Sequence, residues 1–238
     1  SHFLWQYALQ ICMDTKTKEK EEVLDNINVN NIEELENIPQ PPIGFIERKI
    51  RSFKSGNINF PDLTDDSNKK ILSDLIIKKN RIILLGDAGT GKSTELINLH
   101  NKLKEKEQPF IPIFQSLKTY TPDQGLESYL PEVWNDINND LLIILWYGLD
   151  EIQPEHFNSV VRQINSFSNK HEKLRIVISC RTNFYELPNK RNSGTLSNFE
   201  VYFIDDLNLR DVRDFFIKKS ATDKNPKGFI KEVFATDF

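Results

Sequence analysis

Apolar residues fall into two kinds of run along this chain. Short, nearly continuous runs occur at Arg81–Leu85, Phe110–Gln115, Leu141–Tyr147, Leu174–Cys180 and Glu200–Ile204. Runs of that length, bounded by polar residues, predict strands buried on both faces. Between them the spacing changes to three and four. Glu155–Asn169 carries Phe157, Val160, Val161, Ile164 and Phe167, which predicts an amphipathic helix. Ser93–Glu107 and Gln124–Asn139 read as helices as well, and so does Asp65–Lys79, with Asp65 or Asp66 near its cap. Strands separated by helices predict an α/β fold on a parallel sheet with helices on both faces.

The flanks read differently. Residues 3–12 are apolar enough for a helix that needs a partner surface, and residues 14–22 are a charge run, the pattern of a solvated helix face or a linker. Asn31 is placed to cap one or two helical turns. Pro39-Gln-Pro-Pro-Ile-Gly44 is a stiff break, followed by Phe45–Arg51, a segment of uncertain type. After Asp206 the strands stop, and Leu209–Lys219 and Lys227–Ala235 look helical. The expected division is an N-terminal helical arm or linker over 1–44, a main domain over 45–206, and the start of a helical lid domain over 207–238. Ser1-His2 in place of Met reads as a cloning remnant or an excised fragment, and the expected lid is not complete at Phe238.

The first strand runs into Gly86-Asp87-Ala88-Gly89-Thr90-Gly91-Lys92-Ser93, which fits G-x-x-x-x-G-K-[ST] without a gap. Strand, glycine loop and helix together are the context of a phosphate-binding loop. The glycines let successive N–H groups turn inward toward an anion. The helix from about Lys92 adds unpaired N–H groups and the positive end of its dipole. Lys92 is placed to reach β- and γ-phosphates, Ser93 to put a hydroxyl on Mg²⁺, and Thr94 to meet the α-phosphate. The alternative is a plain glycine turn, for which a chance match in a chain this size is roughly a one per cent event.

Two further strand ends carry chemistry. Ile143–Leu149 leads into Asp150-Glu151, where a metal ligand and a carboxylate that orients water would be needed. A helix N-cap after a buried strand would place the same acids there. Arg181 follows the fourth strand, where it can contact a γ-phosphate; a surface ion pair is the other reading. Cys180 reads as a small core residue, since no His or Asp partner for a thiolate is evident.

Bulk properties narrow the class. The 238 residues carry a net charge of −4, which leaves no electrostatic footprint for nucleic acid. Cys12 and Cys180 lie far apart without metal-ligand spacing, so a reducing, cytoplasmic setting is the default. No apolar run approaches a membrane span and no signal peptide is evident.

Four ordered segments together resemble the NACHT group of STAND-type P-loop NTPases. They are Gly86–Thr94, Gly148-Leu-Asp-Glu-Ile152, Ile176–Thr182 and Phe203–Phe216; Ile111–Tyr120 also looks like the family's second strand. The resemblance covers about Phe45 to Phe238. It implies a P-loop three-layer sandwich with a parallel sheet of order 5-1-4-3-2, followed by part of a helical domain. It implies ATP and ADP as ligands with Mg²⁺, slow hydrolysis, and a switch that self-associates within a larger parent chain. Bacterial relatives act in anti-phage defence and animal relatives in innate immunity. The Asn-, Lys- and Ile-rich composition points to the bacterial side.

The sequence departs from the family in two places. The residue that usually supplies the first Mg²⁺-binding Asp is Tyr147. A phenol is a poor ligand at neutral pH, so Mg²⁺ would depend on Ser93, water and Asp150, and hydrolysis should be weak or absent. The adenine-contacting proline and winged-helix histidine of later family segments lie beyond Phe238. The competing readings are a nucleotide-binding scaffold without turnover and an AAA+-type ATPase module. A nucleotide kinase would need lid arginines, and Arg191 is isolated.

Overall fold

The structure is a computed structural model that describes residues 14–22, 45–52, 70–105, 109–185, 195–207, 211–213 and 215. Helix α1 covers residues 14–22. The others are α2 (Leu72–Lys78), α3 (Lys92–Lys104), α4 (Leu126–Tyr129) and α5 (Pro154–Lys170). The strands are β1 (Ile50–Ser52), β2 (Arg81–Gly86), β3 (Ile111–Ser116), β4 (Leu142–Tyr147), β5 (Arg175–Arg181) and β6 (Glu200–Ile204).

One six-stranded sheet runs in the order β1-β6-β2-β5-β4-β3. β2 is parallel to β5 and β6, and β4 is parallel to β3 and β5. The fold is α/β, but the expected sandwich on a purely parallel sheet of order 5-1-4-3-2 is corrected. The sheet is mixed, because β1 pairs antiparallel with β6, Ile50 opposite Ile204 and Ser52 opposite Tyr202. Three paired residues are too short to show a strand period. Their pairing comes from tertiary context: Ile50 is fully buried, and its N–H and C=O also bond to Lys70 at 2.8 and 3.1 Å. β1 thereby covers an edge of β6 that would otherwise present open backbone groups.

Each central strand feeds two cores. Ile83, Leu85, Ile144, Trp146, Ile176 and Ile178 pack on the face covered by Val160, Val161, Ile164 and Phe167 of α5. The alternate residues Ile82, Leu84, Ile143, Leu145 and Val177 pack against Leu72, Leu75 and Ile76 of α2 and Leu96, Leu99 and Leu103 of α3. Burial on both sides explains the continuously apolar strands. Full burial of one such side chain contributes about 1.5–3 kcal/mol.

The helix expected over Gln124–Asn139 is broken. α4 stops at Tyr129, and a 3-10 turn follows at Glu132–Asp136. Pro131 lacks an N–H and drives Leu130 into extended backbone, φ −72° and ψ 151°. α2 begins at Leu72; the caps expected at Asp65 or Asp66 lie outside the described residues, as do the helices expected over 3–12, after Asn31 and over Lys227–Ala235. Of the expected lid start, 211–213 and 215 are helical.

The charge run at 14–22 is a docked helix. Lys20 is buried, and its ammonium donates to Leu103 O at 2.9 Å and Glu105 O at 3.1 Å, at the carboxyl end of α3. A cation there complements the helix dipole. Burial pushes its pKa down to about 8, against the nearby Glu21 charge. Lys16 donates to Asp140 O at 3.2 Å. Among the described residues, no helix is long and apolar enough to cross a membrane.

Candidate functional site

The parallel register brings three strand ends together. Gly86, the last residue of β2, lies opposite Arg181, the last of β5, and β4 runs beside β5. Ligands of open α/β sheets bind outside such carboxyl ends. A cleft of about 300 Å³ opens there, lined by Ala88, Gly89 and Gly91–Thr94 on one side. Gly148, Asp150, Glu151, Ser179 and Arg181 line the other.

The loop is fixed by left-handed glycine backbone, close approach and its own hydrogen bonds. Gly91 caps α3 in the left-handed region, φ 89° and ψ 20°, which a side chain would strain. The first main-chain bond of α3 runs from the Glu95 N–H to Gly91 O at 2.9 Å, so the amides of Lys92, Ser93 and Thr94 precede it and face the cleft end of the helix. Gly86 is needed for close approach: a Cβ there would lie 2.4 Å from Ile204 Cγ2 and 2.8 Å from Thr90 Oγ1. The Lys92 ammonium folds over the loop and donates to Gly86 O at 2.7 Å and Asp87 O at 2.8 Å. Thr90 Oγ1 donates to Asp87 O at 2.9 Å. Gly86, Asp87 and Thr90 therefore shape the loop, while the other loop residues line the cleft. Burial pushes the Lys92 pKa down, and Asp150 is the foremost influence in the other direction.

The opposite wall is an ion pair. Asp150 Oδ1 accepts the Arg181 main-chain N–H at 2.9 Å, and Oδ2 pairs with Arg181 Nε at 2.9 Å. The Asp150 side chain is almost buried, while that of Arg181 is 43% exposed. Glu151 is exposed and folds back over Gly148, with Cδ 3.1 Å from the place a Cβ would take there. Burial pushes the Cys180 thiol well above its ordinary range, with Asp150 adding to the effect, so it stays protonated and inert.

Tyr147 does not line the cleft. Its ring stacks on Phe114, centroids 4.8 Å apart, and packs against the α3 side of the core. Ser93 and Asp150 are the expected metal ligands, but Arg181 holds both oxygens of Asp150. Among the described residues, no group of three or more His, Cys, Asp or Glu is gathered to hold a metal ion.

Two positions were missed from the sequence. Ser179 is buried, lines the cleft and accepts the Gly148 N–H at 3.4 Å. It stands two residues before Arg181, so strand alternation places it on the same face. Glu95, next to Thr94 in the first turn of α3, is 1% exposed, and its Oε2 accepts the Arg48 N–H at 3.1 Å. The Arg48 guanidinium donates to Asp205 O, and Lys102 pairs with Glu47 at 2.6 Å. These contacts fasten residues 47 and 48 to the helix that follows the loop. Burial pushes the Glu95 carboxyl up to about 7.

No family model matches the chain, and no curated protein matches it. Among solved structures, the chain is similar to the crystal structure of Rif2 in complex with the C-terminal domain of Rap1. The TM-score is 0.37 and the identity 11%, over 66% of this chain and 61% of that one. The match spans less than two thirds of that chain, and at this TM-score it carries no argument about either fold or activity.

Proposed function

We propose that this chain is the nucleotide-binding module of a NACHT-type switch, which holds ATP or ADP by the phosphates in the cleft at residues 86–94. One observation carries the reading. The glycine loop, the amide end of α3, Lys92 and Arg181 meet around a single cleft of about 300 Å³. Inward amides and two cations are the chemistry that recognises a polyphosphate. A role as part of a larger, self-associating anti-phage sensor rests on the resemblance of the four segments and stands with it.

Calorimetric titration with ADP and ATP tests the reading. The native chain binds, and Lys92→Ala binds at least about tenfold more weakly, a difference near 1.4 kcal/mol. Equal, negligible heat from both proteins would sink it.

A scaffold without turnover is the second reading, and the Tyr147–Phe114 stack favours it. The ring stands at the end of β4, where the resembled family carries its Mg²⁺-binding Asp. Phosphate release is expected to be negligible in the native chain and to rise in Tyr147→Asp. Equal turnover in the two would refute the scaffold.

A further inference from the structure

The donor set does not suit the divalent cation that usually accompanies a nucleoside triphosphate. Mg²⁺ takes near-octahedral oxygen ligands at about 2.0–2.1 Å and in phosphate sites leans on one or two protein carboxylates. At the end of β4 the side chain is Tyr147, turned into a stack with Phe114. The next carboxylate, Asp150, is almost buried and already carries a guanidinium on Oδ2 at 2.9 Å and a main-chain N–H on Oδ1 at 2.9 Å. A dication placed on Asp150 would crowd Arg181 and lie near the Lys92 ammonium, which shares the same cleft. Glu151 remains, but it is exposed and folded over Gly148.

The same arrangement supplies countercharge without a metal. Arg181 is held through Nε, which leaves its two terminal nitrogens outside that pair on a side chain that lines the cleft and is 43% exposed. Guanidinium presents parallel N–H groups that match phosphate oxygens. Lys92 rests on two loop carbonyls, weak partners that a phosphate replaces. Asp150 then acts on the anion only through the arginine it orients.

We infer that this site takes the nucleotide polyphosphate as the metal-free anion, with Lys92 and Arg181 in the place of Mg²⁺. The inference rests on the proposed nucleotide site and adds the ionic form of its ligand. Arg181 is its binding cation, held in place by Asp150, and Tyr147 leaves the end of β4 without a carboxylate for the metal.

Fluorescent ADP is titrated into the native chain in excess Mg²⁺ and, separately, in EDTA. Binding is expected to be tighter in EDTA than in excess Mg²⁺, because the cation sequesters the free anion that the site takes. Binding that is equal in the two buffers, or tighter in Mg²⁺, overturns the inference and leaves the nucleotide reading standing. Absence of binding in both buffers overturns both. In EDTA, Arg181→Gln is expected to weaken binding about tenfold or more; unchanged affinity removes the arginine from the account. Tyr147→Asp, with native-like circular dichroism as its fold check, is expected to acquire a dependence on Mg²⁺.

Discussion

Replacing Glu95 by Gln removes a charge and leaves a hydrogen-bond acceptor of the same shape for the Arg48 N–H. Glu95 is 1% exposed, and its folded pKa is about 7 against an ordinary 4.5. Burial is the main cause. The Glu47 charge adds to it, while the Arg48 N–H, Lys102 and Arg48 oppose it. Between these two pKa values the folded chain binds more protons at this group than the unfolded chain does. Stability from this group is therefore fully present below about pH 4.5, falls as pH rises, and is lost above about 7. The shift corresponds to about 3 kcal/mol. Urea unfolding followed by circular dichroism, at a series of pH values from about 4.5 to about 8, reads it as the difference between native chain and variant, in which other titrations cancel. Glu95→Gln is expected to gain about 3 kcal/mol relative to the native chain across that interval. A difference that changes by less than about 1 kcal/mol would refute the buried, protonated carboxyl.

Other predictions are local. Gly86→Ala puts a methyl 2.4 Å from Ile204 Cγ2 and 2.8 Å from Thr90 Oγ1, so it is expected to cost roughly 1–3 kcal/mol in urea unfolding and to weaken ADP binding. Ile164→Ala opens a cavity under α5, on the sheet face away from α3, and is expected to cost about 2–5 kcal/mol. Its ADP affinity should match the native chain, and a marked loss would show that the α5 core also shapes the cleft.

What could be read from the sequence was local. The spelling of residues 86–93 contains its own geometry, because glycine, lysine and the helix start are contiguous. Asp150, Glu151 and Arg181 were visible as polar residues at the ends of buried strands, and strand alternation would have added Ser179. Long-range pairing was not visible. β1 exists because Ile50 meets Ile204, more than a hundred residues away in sequence, and three residues carry no period. The helix at 14–22 looked solvated because its docking depends on Lys20 meeting the carbonyl end of α3. Pro131 held enough information to break the helix over Gln124–Asn139, but the apolar spacing outweighed it. Nothing in the residues around Glu95 shows that residues 47 and 48 cover it, because that contact spans 47 positions.

The claim beneath all of this is that the amides of residues 86–94 receive phosphate. The chain has nine glycines, so a protein labelled with ¹⁵N at glycine alone gives a spectrum that can be assigned and followed during addition of ADP. Gly89 and Gly91 are expected to move by far the most, with Gly148 following across the cleft and Gly125 unmoved. Saturating ADP that leaves Gly89 and Gly91 in place, or moves Gly125 as much as either, would contradict the account.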